Sequence, residues 1–333
     1  MATLKDISFS DLILSDGRGT LKGVPGLGTR LMSIDDPEIL ASLRDLPNEL
    51  QDKMLQRKQM AAIRHEFQGI LFRVCYADDV TNRAWFLRRI ADRIPDLEEL
   101  GVPEHILKFM LSPNRNRGLY LFTGAQTSGK TTLASSLIAT RLKLFGGLCV
   151  TFESPAEMPL HGQYGDFGRC IQTEIDTEDD LPNRIMRAHT YASPDIIFIG
   201  EIKTAVSAVE ALRIALGSSN QMVVATVHGI SLEAALQRLL NWSREHEGDN
   251  AALNLSMSLS AVVHMALNQG EDGRKKLDLP QFLLIPFKGD FSDQVRARLK
   301  TGQLTGLADD IQRQRALILR YGPDVFLTDQ GDK

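Results

Sequence analysis

Cysteine is scarce in this chain. Cys75, Cys149 and Cys170 are the only three among 333 residues, and no CxxC pair brings two of them together. That excludes a zinc ribbon and a dithiol redox centre, and so odd and sparse a set fits a reducing cytosol. Long apolar runs are also missing. No stretch approaches the length of a membrane span, and the opening "MATLKDISFSD" lacks the apolar core of a signal peptide. The expectation is a cytosolic protein whose membrane role, if it has one, passes through partners. Aromatic residues make up 6% of the chain and its net charge is −4. No stretch interleaves basic residues with aromatic stacking platforms, so direct nucleic-acid binding is not expected. No internal repeat and no low-complexity tract is visible.

What is present is an ordinary globular composition, 43% apolar and 24% charged, in a chain long enough for two cores. Residues 1–105 read as a small mixed α+β domain. "SDLIL" is a short strand ending at the turn "SDGRG", and "GILFRVCYA" is another strand. "PEILASLRDL" and "NELQDKMLQRKQMAAIRHEF" have helical spacing. A helix in "LEELGVPEHILKFMLSPNRNRG" stops at Pro113, and residues 106–117 read as a linker. Over residues 118–333 apolar strands alternate with amphipathic helices: "LYLFTG", "GLCVTF", "DIIFIG" and "QMVVATV" with helical stretches between, followed by a helical tail. This rhythm predicts an α/β domain with a parallel sheet covered on both faces, whose ligands bind beyond the carboxyl ends of the strands.

One of those ends carries "GAQTSGKT", residues 124–131, which fits G-x-x-x-x-G-K-[ST] between a strand and a helix. Glycine at 124 and 129 lets the backbone turn so that its N–H groups face inward. The helix N-terminus adds partial positive charge, Lys130 reaches β- and γ-phosphates, and Thr131 can ligate Mg²⁺. A chance match in a chain this long is roughly one in a hundred. Gly124, Thr127, Ser128, Gly129, Lys130, Thr131 and Thr132 are the predicted ATP-binding residues. Three more strand ends converge here: "GLCVTF" ends in Glu153, "DIIFIG" in Glu201 and "QMVVATV" in His228. Singly, each has a plainer reading, a hydrogen-bonded structural histidine or a carboxylate capping a helix such as that beginning near Ala205. Together, beside a P-loop, they describe a pocket.

At these residues the chain resembles the secretion ATPase superfamily, which drives type II and type IV secretion and type IV pili. Its likeness is to the pilus-retraction (PilT-like) and conjugative or Dot-type branch. The resemblance runs from about Ser10 to about Trp242. "GAQTSGKTT" resembles the family's Walker A, "VTFESPAE" its Asp box, "SPDIIFIGEIKT" its Walker B and "VVATVHG" its His box. "FSDLILSDGRG" is similar to the family's opening strand and turn, and "LFRVCYADDVTNRAWFLRRIADRIPDLEELGVP" to the segment carrying its interdomain arginines. The resemblance implies a PAS-like first domain, a RecA-like second domain and a homo-hexameric ring. It implies an ATP-hydrolysing motor that uses Mg²⁺, cytoplasmic, held at the inner membrane by membrane and cytoplasmic components of a secretion or pilus machine.

The roles it implies are specific. Glu201 polarises the attacking water, Glu153 orders water and Mg²⁺ together with Thr131, and His228 senses the γ-phosphate. Arg73 and Arg88, with Arg83 as a third candidate, approach the phosphates from their own or a neighbouring subunit. Asp195 has a structural role at its strand's start. Two departures stand out. Glu153-Ser154-Pro155 replaces the usual Glu-Asp-Pro, and the tail lacks the "AIRNLI"-type motif of retraction ATPases. The paired cysteines of many assembly ATPases are absent as well, and these absences suit a conjugative or Dot-type system. A RecA-like hexameric nucleic-acid motor stays open as the alternative function; a small-molecule kinase and a non-catalytic nucleotide switch are weaker alternatives.

Overall fold

Alternating burial builds the first sheet. In β1 (Asp11–Ser15) and β2 (Arg18–Lys22), Leu12, Leu14 and Leu21 face inward while their neighbours stay at the surface. The two strands join through Asp16 and Gly17, both at positive φ (50° and 71°), the backbone that a two-residue hairpin of this hand requires. The structure, a computed structural model, describes residues 3–56, 62–78, 80, 82–217, 220–269, 275–278 and 280–327.

After β3 (Met32–Ser33) come α1 (Pro37–Leu43) and α2 (Leu46–Gln56). Asp36 caps α1 by accepting from the N–H groups of Glu38 and Ile39. Three further strands follow: β4 (Ile63–Phe67), β5 (Ile70–Asp78) and β6 (Arg83–Arg89). The helical spacing expected through "IRHEF" is corrected here. Residues 63–67 are β4, because antiparallel pairing with β5 buries Ile63 and His65. The part of that expected helix at 57–61 lies outside the described residues, as does the chain's end at 328–333. The sheet is antiparallel in the order β3-β2-β1-β6-β5-β4. One face buries Leu12, Leu21, Phe72, Val74 and Leu87 with Ile39, Leu46 and Leu50 of the helices. The registers Asp11↔Arg88, Arg88↔Arg73 and Arg73↔Arg64 set one acidic and three arginine side chains in a row across β1, β6, β5 and β4.

The second core begins at Leu97. Helix α3 (Glu104–Met110) belongs to it, with Ile106, Phe109 and Met110 fully buried, so the first part of residues 106–117 is helix rather than linker. The alternation continues with β7 (Gly118–Gly124), α4 (Lys130–Phe145), β8 (Gly147–Glu153), β9 (Gly162–Tyr164), β10 (Gly168–Glu174) and α5 (Leu181–Ala192). Next come β11 (Ile196–Ile202), α6 (Ala205–Gly217), β12 (Met222–His228), α7 (Leu232–Glu247) and α8 (Asn250–Ser258). The chain closes with β13 (Leu259–Met265), the pair β14 (Leu267–Gln269) and β15 (Lys275–Leu277), then β16 (Gln281–Leu284), α9 (Asp290–Thr301) and α10 (Leu307–Tyr321).

The main sheet runs β16-β13-β7-β12-β11-β8-β10-β9, parallel except at the two edge strands. β7 sits between β12 and β13 and is buried along its whole length, as its unbroken apolar run predicts. Its carboxyl end therefore lies beside those of β12, β11 and β8.

Candidate active site

The loop after β7 is shaped for close approach. Gly124 has φ +147°, and a Cβ there would lie 2.3 Å from the Met265 carbonyl oxygen and 2.6 Å from Ser128 Oγ. Gly129, at φ +88°, turns the chain into α4. Thr127 holds the left-handed conformation (φ 61°) that is uncommon without glycine and recurs at ligand-clasping loops. Lys130 Nζ donates to the carbonyls of Gly124 (3.1 Å) and Ala125 (2.6 Å). Its ammonium is buried. Burial pulls its pKa below the usual lysine range, and the charges of Glu201 and Glu157 oppose the drop. Ser128 Oγ is buried without a hydrogen-bond partner at the same loop. A buried cation and an unpaired hydroxyl beneath inward-turned backbone are a fit for phosphate oxygens.

Three carboxylates face this loop. Glu153, 2% exposed, accepts from Gln172 Nε2 at 2.9 Å. Burial pushes its pKa up to about 7 against hydrogen bonds from Gln172, Thr151 and the Glu157 backbone. Its position needs glycine at 200, where a Cβ would come within 2.9 Å of Glu153 Cγ. Glu201 is held between His228 Nε2 (2.8 Å to Oε1) and Lys203 Nζ (3.5 Å to Oε2). The reading of Glu201 as a helix cap therefore fails: the start of α6 is closed by Thr204 and Ser207, which bond each other. Asp195 accepts from the Leu148 N–H at 2.8 Å, tying the starts of two strands. The third carboxylate is Glu157, to which Thr131 Oγ1 donates at 2.8 Å and with which Arg73 forms an ion pair.

Thr127 through Thr132, Glu153, Glu201, His228, Arg73 and Arg88 line one cleft of about 360 Å³, with Gly124 behind it at the loop's start. Arg88 reaches the cleft while bonded to Asp11 (2.8 Å). Arg83 does not line it; this side chain pairs with Asp78 at 2.7 Å and lies 3.9 Å over the Tyr76 ring. Sequence reasoning missed four liners or supports: Glu157, Gln172, Glu178 and Lys203. Glu157 was visible in "ESPAE", three residues beyond the serine that breaks the expected pattern. Among the described residues no group of three or more His, Cys, Asp or Glu side chains could cage a metal ion. The oxygens of Thr131, Glu157 and Glu153 beside a phosphate loop do fit Mg²⁺, which leans on phosphates and water with one or two protein ligands.

A P-loop at the carboxyl edge of a parallel sheet, faced by acidic strand ends, defines an α/β protein of the P-loop class. The chain belongs to the Type II/IV secretion system protein family, whose model matches residues 71–284. It is 30% identical over 200 residues to the Type IV pilus ATPase PilU of Pseudomonas aeruginosa, a match covering 60% of this chain and 50% of PilU. The chain thus spans about half the length of that relative. Two solved structures share its fold. The pilus retraction motor PilT with bound ADP superposes with a TM-score of 0.73 at 20% identity, over 95% of this chain and 90% of that one. The Legionella pneumophila ATPase DotB gives 0.70 at 22% identity, over 94% and 84%. Among the described residues no helix is long and apolar enough to cross a membrane.

Proposed function

We propose that the chain is an Mg²⁺-dependent ATPase and the motor of a type IV secretion system, conjugative or Dot-type, or of a type IV pilus. The observation that carries this reading is the convergence of Lys130, Thr131, Glu153, Glu157, Glu201 and Arg73 on one cleft. Phosphoryl transfer to water asks for charge neutralisation and in-line water more than for covalent chemistry. Lys130 would exchange its two carbonyl partners for β- and γ-phosphate oxygens. Thr131, Glu157 and Glu153 would hold Mg²⁺ and its waters, and the ion, when bound with the nucleotide, neutralises phosphate charge. Glu201, oriented by His228, would accept the hydrogen bond of the attacking water, leaving His228 placed to respond to the γ-phosphate. Arg73 and Arg88 would bring positive charge from the first domain.

In this reading the first domain is PAS-like, the second RecA-like, and six copies form a ring. The ring sits in the cytoplasm against the inner membrane, held by components of its machine. Phosphate release from Mg-ATP by the purified chain, with the mass of the active species measured in the same sample, tests the proposal. Steady turnover by a hexamer is expected. A protein that binds ATP but never releases phosphate would be a nucleotide switch, and turnover that rises with added single-stranded DNA would favour the nucleic-acid motor.

A further inference from the structure

The row of arginines across the first sheet touches the second domain at two points. Arg73 meets Glu157, and Arg64, one strand further along the row, donates from Nη1 to Gln172 Oε1 at 3.4 Å. Gln172 stands on β10, a strand beyond β8, and does not line the cleft. Its amide is fully committed. Nε2 donates one hydrogen to Glu153 Oε1 (2.9 Å) and the other to the Met158 carbonyl (2.7 Å). With both N–H groups directed at oxygens, only the amide oxygen is left to face the guanidinium. A flipped amide would set oxygen against two oxygens and NH₂ against Arg64, so the orientation follows from the partners.

We infer that Gln172 is a positioning residue that relays the approach of the first domain, sensed at Arg64, to the buried carboxylate of Glu153. The two bonds toward Glu153 and Met158 are short, 2.9 and 2.7 Å, while the bond to Arg64 is long at 3.4 Å. Contact with the first domain is therefore the step that can be made and broken. When Arg64 is in place it polarises the amide, strengthening the N–H donated to Glu153. When the first domain draws back, Glu153 keeps its donor but loses that reinforcement. Arg73 and Glu157 form a parallel clasp, so the carboxylate that ends β8 and the one in the loop after it both answer to the same face of the first sheet.

The inference rests on the ATPase reading only for its kinetic arm. Gln172→Met keeps the length of the side chain and removes its hydrogen bonds. It is expected to lower kcat about 10-fold or more, with KM for ATP changed by less than about 2-fold, because Glu153 stays in the cleft and loses only a donor that orients it. Arg64→Ala is expected to cost about 5-fold in kcat, the rate equivalent of one long hydrogen bond, and Arg64→Lys to recover most of it. The double variant should be no slower than Gln172→Met, since Arg64 acts only through that amide. Multiplied losses in the double variant would overturn the relay. The second arm needs no turnover. In the full-length protein labelled with ¹⁵N-glutamine, the side-chain amide signal of Gln172, assigned through its backbone, should shift in Arg64→Ala and return toward wild type in Arg64→Lys. A signal unmoved by Arg64→Ala also overturns the relay. A wild type that releases no phosphate, with the amide still responding to Arg64, would instead sink the ATPase reading and leave the relay standing.

Discussion

The two sheets handle charge in opposite ways. On the first, Arg73 and Arg88 keep 36% and 50% of their side chains in solvent and pair with carboxylates at the surface. On the second, Glu153 and Lys130 are buried at 2% and 6% exposure, and burial moves both pKa values toward the neutral form. Solvated charges cost little to hold and little to move. Buried ones are expensive, rigid and ready to act without reorganisation. In the proposed function the second domain would contribute fixed chemistry, whereas the first would contribute charge that can be delivered or withdrawn.

The largest effect expected from breaking this division is at Lys130. Lys130→Ala should abolish ATP turnover and weaken nucleotide binding, measured by phosphate release and by fluorescent-nucleotide titration. Normal turnover by a folded variant would remove the phosphate site from the account. Glu201→Gln comes next. It keeps the shape and the contact with His228 while removing charge, so ATP should bind normally as turnover falls about 10²-fold or more. Weak binding with a normal rate for what is bound would make Glu201 a structural or metal-binding group.

Glu153 sharpens the comparison through stability. Its folded pKa, about 7, lies above the 4.5 of an ordinary glutamate. The folded state therefore holds the proton more tightly, and this contribution is fully present below pH 4.5 and is lost as pH rises through about 7. The loss amounts to about 3 kcal/mol at one pKa unit per 1.36 kcal/mol. Nucleotide-free Glu153→Gln should lack this slope and unfold at a higher temperature than wild type at pH 8, with the gap closing toward pH 5. Parallel Tm-against-pH curves would mean that the carboxyl is not desolvated. Ser154→Asp should change least. Lys203 Nζ already lies 3.3 Å from the Ser154 carbonyl, so an added carboxylate meets a cation, and turnover should stay within about 3-fold of wild type. A dead but folded Ser154→Asp would show that the loop's geometry cannot admit a second acidic side chain.

Much of the second domain was legible because its strands carry their own signal. Unbroken apolar runs ending at Gly124, Glu153, Gly200 and His228 announce a buried parallel sheet and mark where its ligand edge lies. The P-loop needed no more than spacing and context. What stayed hidden was hidden for physical reasons. β10 reads "GRCIQTE" and β13 "LSAVVHM", one too polar and one too closely fused to the preceding helix to stand out as strands. "IRHEF" continued a helical pattern until pairing with β5 claimed it. Glu157 and Gln172 bond to partners on other strands, Arg73 and Arg64 among them, and spacing along a chain does not report contacts across a domain boundary. Arg83, a third candidate in the segment that resembles the family's interdomain arginines, stands at the start of β6 against Tyr76 and Asp78, outside the cleft of its own chain.

The central claim is that charge carried by the first domain completes the chemistry of the second. The most direct test is single-turnover phosphate release by the Arg73→Ala, Arg88→Ala double variant, with ATP affinity measured on the same protein. The account predicts ATP binding within about 3-fold of wild type and a rate lower by about 10³-fold or more, the scale on which an arginine at a γ-phosphate acts. A double variant that binds and hydrolyses ATP at the wild-type rate would contradict it, leaving both arginines as surface charge on a second domain that works alone.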